Sequence, residues 1–443
     1  MQMVVVSKDT VIAATHRSKV AKPWLKWLGP GLITGASDDD PSGIATYSQA
    51  GAAFGFGLLW TMLFSYPLMC AIQEISGRIG RVTGRGIAGN IGRYYPVWVL
   101  YPLVFLLVLA NTFNIGADIG AMGEALQLLV GGNALFYAIG FAGACVILQT
   151  LVPYSKYSLY LKWLTPVLFS YVATALIVHV PWGRALHGTI IPRFAKSGNY
   201  WATFIAILGT TISPYLFFWQ ASQETEEIRD KPMDHPLNDA PEQAREQFGR
   251  IRLDTYAGMF LSNLIAFFII LAAAVTLNKS GVTTIDTAAQ AAEALRPLAG
   301  RFAFTLFAAG IVGTGLLAVP VLAGSAAYAV GEAMKWPTGL DRKPLAAKGF
   351  YRVLAAATLL GLAMNFPLIQ KYTHLTPIRA LFWSAVINGI AAAPIMVVMM
   401  LMMANPKVMG NFAATSPFLR IFGWLATGVM AVASVGMFLT WNN

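Results

Sequence analysis

The sequence predicts an all-α polytopic membrane protein of about eleven transmembrane helices, and three observations carry that expectation. Of 443 residues, 56% are hydrophobic and only 12% are charged. With a mean hydropathy of +0.60, this is more apolar surface than an ordinary soluble domain hides. Apolar stretches long enough to cross a hydrocarbon core of ~30 Å recur along the chain. The basic residues behind the net charge of +11 fall in short segments between those stretches, as the positive-inside bias requires, so the charge does not point to nucleic acid.

Taken in order, residues 1–27 carry Lys8, Arg17, Lys19, Lys22 and Lys26 with no small-residue cleavage site, and read as a cytoplasmic tail. Spans are expected near 29–54, 57–77, 97–130, 133–152, 158–181, 200–222, 255–277, 302–331, 351–370, 378–403 and 417–440. With the tail inside, the inside loops hold Arg78, Arg81, Arg85 and Arg93, then Lys156, then Arg229, Lys231, Arg245, Arg250 and Arg252, then Lys335, Arg342, Lys343 and Lys348, and finally Lys407. The outside loops are poorer, which places the C-terminus outside a bacterial-type inner membrane. The polar insert 223–252, with Pro232, Pro236 and Pro241, reads as a partly helical cytoplasmic loop, and Glu224, Glu226 and Glu227 as its solvated beginning. Cys70 and Cys145 lie in apolar runs and imply no disulfide.

Within the first span stand Asp38, Asp39 and Asp40, followed at once by Pro41, Ser42 and Gly43. One ionised carboxylate at the centre of a span costs about 2.5–3.5 kcal/mol on insertion scales, so three in a row require water, cations or protons around them. Pro41 lacks an N–H and Gly43 loosens the chain, so the helix is expected to break where its freed backbone lines a cavity. Segment six has a second break, Gly209-Thr210-Thr211-Ile212-Ser213-Pro214-Tyr215. Five spans separate the two, so they cross in opposite directions, and interrupted helices at matching places in inverted halves point to a transporter's substrate site. The repeats would be 28–182 and 183–404, the second including the 223–252 loop, with 405–443 adding a loop and a last span.

The run Gly29-Pro30-Gly31, Asp40-Pro41-Ser42-Gly43, Gln49-Ala50-Gly51-Ala52 and Phe54-Gly55-Phe56-Gly57-Leu58-Leu59-Trp60, with Gly80, Val82, Thr83, Gly84 and Arg85, resembles the Nramp family of divalent metal transporters. The resemblance covers spans one to about ten and is specific mainly before residue 95 and around segment six. It implies a LeuT-like fold with two inverted five-helix repeats, unwound first and sixth helices, and a metal between them. Carried over by residue, Asp40 is the retained aspartate. Gly43 stands where the family has a ligand asparagine, and Ser213 where it has a methionine. Tyr215 and Gln220 stand where histidines are usual, and Thr210 where an alanine offers its carbonyl.

Thioether sulfur favours softer metals, whereas carboxylate, carbonyl, hydroxyl and water suit Mg²⁺, Ca²⁺ and Mn²⁺. A pocket of Asp38, Asp39, Asp40, Gly43, Thr210 and Ser213 therefore suits Mg²⁺, and also Mn²⁺, as a largely hydrated substrate. This pattern resembles the Nramp-related magnesium transporters, a branch without proton coupling. The third span agrees, with Asn114 and Ala117 where the main family carries acids and Asp118 shifted by one. No histidine lies in mid-span: His16, His179, His187, His235 and His374 are at ends or in loops.

Gln73 matches a family position near the site. Glu74 either faces an aqueous path or pairs with Arg78, and Asn388 either borders the path or bonds between helices. Gly116 and Gly120 read as close-packing surfaces. The alternatives are a proton-coupled Mn²⁺/Fe²⁺ symporter and a LeuT-fold symporter of an organic substrate. No nucleophile with its base and no HExxH motif is present, so no enzyme is expected. No cofactor and no obligate protein partner is implied beyond divalent cations and the lipid bilayer.

Overall fold

In a bilayer every backbone N–H and C=O must be bonded within the chain, and the described residues meet this with helices: no strand occurs among them. The computed structural model describes residues 34–35, 37–152, 165–373, 375–413 and 416–440. The expected tail, the beginning of span one and much of the start of span five lie outside the described residues. The principal helices are α1 (Pro41–Phe54), α2 (Trp60–Thr83), α3 (Ile87–Tyr94), α4 (Val97–Val130), α5 (Ala134–Leu151), α6 (Phe169–Ile177) and α7 (Trp182–Ile190). They continue with α8 (Gly198–Thr211), α9 (Pro214–Asp230), α10 (Ala244–Thr276), α11 (Ala303–Ala333), α12 (Lys348–Ala363), α13 (Pro377–Ala404) and α14 (Pro417–Leu439). Among the described residues, seven helical stretches are long and apolar enough to cross a membrane, or up to nine if each of two bent pairs is one span.

Two departures from the expected boundaries have local causes. Helix α9 runs on to Asp230 and α10 begins at Ala244, so the insert between them is shorter than 223–252. Gln, Glu and Arg are good helix formers, and Glu227 pairs with Lys231 one turn on. In the expected span 351–370, α12 stops at Ala363 and Pro367–Thr373 follows after a 65° bend. Pro367 disfavours a helical Phe366, which ends the helix ahead of it.

Helix α1 packs against α10, α4 against α11, α8 against α13, and α9 against α2. Glycines bring some of these pairs backbone to backbone. A Cβ on Gly80 of α2 would strike the Ala221 carbonyl of α9, and one on Gly209 of α8 would strike Ala385 and Gly389 of α13. Gly116 likewise lies against Gly361, and Gly120 against Asn365. Trp98, Phe105, Phe136, Leu176, Val432 and Phe438 are exposed on the outer helices, the apolar surface that a bilayer covers.

Candidate ion site between two broken helices

Both predicted breaks are present. Thr34, Gly35, Ser37 and Asp38 are helical, Asp39 and Asp40 leave the helix, and α1 restarts at Pro41. In segment six α8 ends at Thr211, Ile212 and Ser213 are non-helical, and α9 restarts at Pro214. Proline suits a first helical position because its missing N–H would have no intrahelical partner there. The two restarts are capped differently. Asp40 Oδ1 accepts from Gly43 N at 2.8 Å and Ser42 Oγ at 2.5 Å. Ser213 makes no such cap; its hydroxyl turns back to the Gly209 and Thr210 carbonyls at 2.9 and 2.8 Å, serving carbonyls at the end of α8 that lack helical partners.

The three aspartates do not converge. Asp40 Oδ2 accepts from Asn114 Nδ2 at 3.0 Å and lies 3.4 Å from the Tyr215 hydroxyl, which also reaches the Ser37 carbonyl at 3.2 Å. Asp38 and Asp39 instead face α10, where Ser262 Oγ lies 2.5 Å from Asp38 Oδ2 and 3.1 Å from Asp39 Oδ1. Among the described residues no group of three or more His, Cys, Asp or Glu is arranged to hold a metal ion. A site here therefore combines few carboxylates with neutral oxygens.

Such oxygens are available. Asn114 donates its amide hydrogen to Asp40 and leaves Oδ1 without a partner among the described residues; one turn along α4, both oxygens of Asp118 are likewise buried and unbonded. Gly43 brings the two breaks together: a Cβ there would sit 3.1 Å from Thr210 Oγ1 and 3.3 Å from the Tyr47 ring. Tyr215 is buried and bridges the two segments.

Gln73 sits farther along as a brace, its amide donating to the Leu216 carbonyl at 3.0 Å and to Gln220 Oε1 at 3.4 Å. Asn388 is buried in α13 next to the Gly209–Gly389 contact, with neither side-chain atom hydrogen-bonded among the described residues. Sequence reasoning counted Asn114 only as a lost acid and passed over Ser262 and Tyr47. Polar side chains in otherwise apolar spans were the available signal.

Glu74 is in an ion pair, with Arg78 at 2.6 Å and Arg252 at 3.6 Å. The solvated reading of Glu224 and Glu226 is overturned, since both are buried. Glu224 is held by Arg250 at 2.5 Å, and Glu226 accepts from the Tyr328 hydroxyl and from Leu340 N.

A helical bundle with two interrupted spans meeting at a buried polar centre is the architecture of a membrane transporter. Solved structures share the fold: a manganese transporter of Eremococcus coleocola bound to an aromatic bis-isothiourea compound has a TM-score of 0.73 at 15% identity, covering 95% of this chain and 87% of that one. MhsT in complex with L-phenylalanine has a TM-score of 0.58 at 14% identity, covering 93% and 98%. The family model "Natural resistance-associated macrophage protein-like" (Nramp) matches residues 31–440, and the chain belongs to that family, whose members are transporters and not enzymes. Among curated relatives, the divalent metal cation transporter MntH of Klebsiella pneumoniae (strain 342) is 25% identical over 420 residues, 92% of each chain. MntH of Caldanaerobacter subterraneus subsp. tengcongensis is 24% identical over 443 residues, 95% of this chain and 94% of the relative.

Proposed function

We propose that this chain moves divalent metal cations across the membrane by alternating access, with Mg²⁺, and also Mn²⁺, as largely hydrated substrates and without proton coupling. The observation that carries this reading is the set of hydrogen-bond partners of Asp40 among the described residues, Asn114, Ser42, the Gly43 N–H and Tyr215, none of which is a sulfur or an imidazole. Oxygen donors suit Mg²⁺ and Mn²⁺, and Mg²⁺ is ordinarily held through one or two carboxylates with several waters retained. Asp40, Asn114, Asp118, Tyr215 and the Thr210 carbonyl are the donors we assign to the ion. Gly43 and Ser213 leave room where the family has larger ligands, and Asn388 lines the path. Repeats of 28–182 and 183–404 and an N-terminus in the cytoplasm fit the basic residues gathered at the α2–α9–α10 end.

The manganese transporter that shares the fold favours a second reading in which Mn²⁺ is preferred, to which the alternative read from the sequence adds protons moving with the metal. Uptake into proteoliposomes separates the two. The first reading expects Mg²⁺ to compete with Mn²⁺ at millimolar concentration while luminal pH stays constant. Strong discrimination against Mg²⁺ would overturn the selectivity, and metal-dependent acidification of the lumen would overturn the absence of coupling.

A further inference from the structure

Helix α7 carries Trp182, Leu186 and Ile190 four residues apart, and all three are exposed, so they form one apolar stripe along it. An amphipathic helix with such a stripe lies in the membrane interface, its apolar side against the acyl chains. Its other side packs on the 3₁₀ turn Gly55–Leu58 and on α2, so closely that a Cβ on Gly188 would strike the Phe56 carbonyl. That turn leads directly out of α1 and precedes α2, whose far end holds Arg78 and Arg81. Helix α7 therefore sits at the opposite end of the molecule from the paired arginines.

Two cavities meet beside α7. The first, of about 450 Å³, is lined by Arg184, His187 and Arg193 together with Asn278 and the backbone of the turn after α1. Arg193 Nη2 lies 3.4 Å from His187 Nδ1, and the Arg184 guanidinium is 5.8 Å from the centre of the Phe56 ring. Among the described residues no Asp or Glu lines this pocket or pairs with either arginine, so its positive charge is unanswered. The second cavity, of about 610 Å³, is an apolar groove between α2, α8 and α14, lined by Phe64, Leu68, Phe204, Leu425 and Val432. Phe194 lines it too, its ring 5.2 Å from Trp60, and follows Arg193 directly in the chain, which sets the cationic pocket and the apolar groove side by side. From Trp60 to Leu68 the groove follows α2 for about 12 Å, less than half of a ~30 Å hydrocarbon core, so it stays within one leaflet.

We propose that the two cavities together form a site for an anionic phospholipid, its phosphate held by Arg184 and Arg193 and one acyl chain laid in the groove. Guanidinium groups match phosphate oxygens in bidentate pairs, and basic residues near the membrane surface attract anionic lipid. A soluble anion fills the pocket and leaves the groove empty, whereas an uncharged lipid does the reverse. Only a lipid with an anionic headgroup uses both. Because the pocket wall includes the turn that follows α1, this lipid touches the far end of the half-helix that Asp40 caps.

The test is binding of radioactive phosphatidylglycerol to the purified full chain in detergent, with excess phosphatidylcholine or inorganic phosphate as competitor. Saturable binding that neither competitor removes is expected. It should fall about fivefold in Arg184→Gln or Arg193→Gln and about tenfold or more in the two combined. Arg301→Gln, which changes an exposed arginine outside the pocket, should leave it unchanged. Gly428→Phe should also lower it at least tenfold: Gly428 lines the groove and a Cβ there meets nothing within 4 Å, so the ring fills the groove without straining the fold. Absence of saturable binding by the unmodified chain would overturn the site whatever the variants do. Displacement by inorganic phosphate, or full binding in Gly428→Phe, would overturn it by leaving a simple anion pocket. Equal displacement by phosphatidylcholine, undiminished binding in the double arginine variant, or an equal loss in Arg301→Gln would overturn it by leaving a non-specific belt of lipid.

Discussion

At the α2–α9–α10 end, Glu74 meets Arg78 and Arg252, Glu224 and Glu227 meet Arg250, and Asp234 meets Arg81. At the break in the first span, Asp38, Asp39, Asp40 and Asp118 meet hydroxyls and amides or nothing at all. Both groups are largely withdrawn from water. An acid with a built-in guanidinium is a fastener between helices, because its charge is already answered by the chain. An acid held only by neutral donors keeps most of its field for a cation arriving from outside. On the proposed function, the contrast separates structural from ion-binding acids where residue type alone does not.

The largest effect is expected at Asp40. Asp40→Ala should lower divalent uptake by about 100-fold or more, since even outer partners of a metal ligand are worth 10–100-fold, while the protein remains folded by size-exclusion chromatography. Uptake at the parent's rate would remove Asp40 from the ion-binding class.

Next comes the fastened end. Arg250→Met leaves Glu224 and Glu227 without their shared cation and should destabilise the protein by about 3–5 kcal/mol, read as a large fall in thermal midpoint in detergent. An unchanged midpoint would mean that the arginine is not what holds these helices. The opposite sign is expected at the break. In metal-free buffer Asp40→Asn keeps the cap to Gly43 and removes an unanswered charge, and should raise the midpoint by about 2–4 °C. A fall would erase the distinction between the two regions.

The breaks themselves were legible in the sequence because a proline in an apolar run interrupts the helical hydrogen bonds, and clustered carboxylates there require a polar cavity. Helices α4 and α5 also lie within a residue of the expected spans. What was illegible is direction. Asp39 leaves the helix, and this change of path sends Asp38 and Asp39 toward Ser262 and Asp40 toward Asn114. The partners of Glu224 and Glu226 come from Arg250 and Tyr328, across gaps of 26 and 102 residues, which no local pattern reports.

The smallest effect concerns ligand softness. Restoring the thioether with Ser213→Met should shift competition toward Cd²⁺ over Mg²⁺ by about three- to tenfold, the size of one contact of about 1 kcal/mol. Equal competition in parent and variant would show that this position does not face the ion. Gly43→Asn is a poorer probe than its sequence context implies, since even its Cβ would press on Thr210 and Tyr47.

The two oxygens of Asp40 have separate duties: Oδ1 starts α1, while Oδ2 ties that half-helix to α4 through Asn114 and reaches toward Tyr215 on α9. On the proposed reading, an ion at Oδ2 draws Asn114 and Tyr215 into its own shell, and it need not unravel the helix start, because Oδ1 is untouched. The atom that would receive the ion is then the atom that already joins three helices. A half-helix that stays wound while its tethers are regrouped around a passenger can swing as a rigid lever.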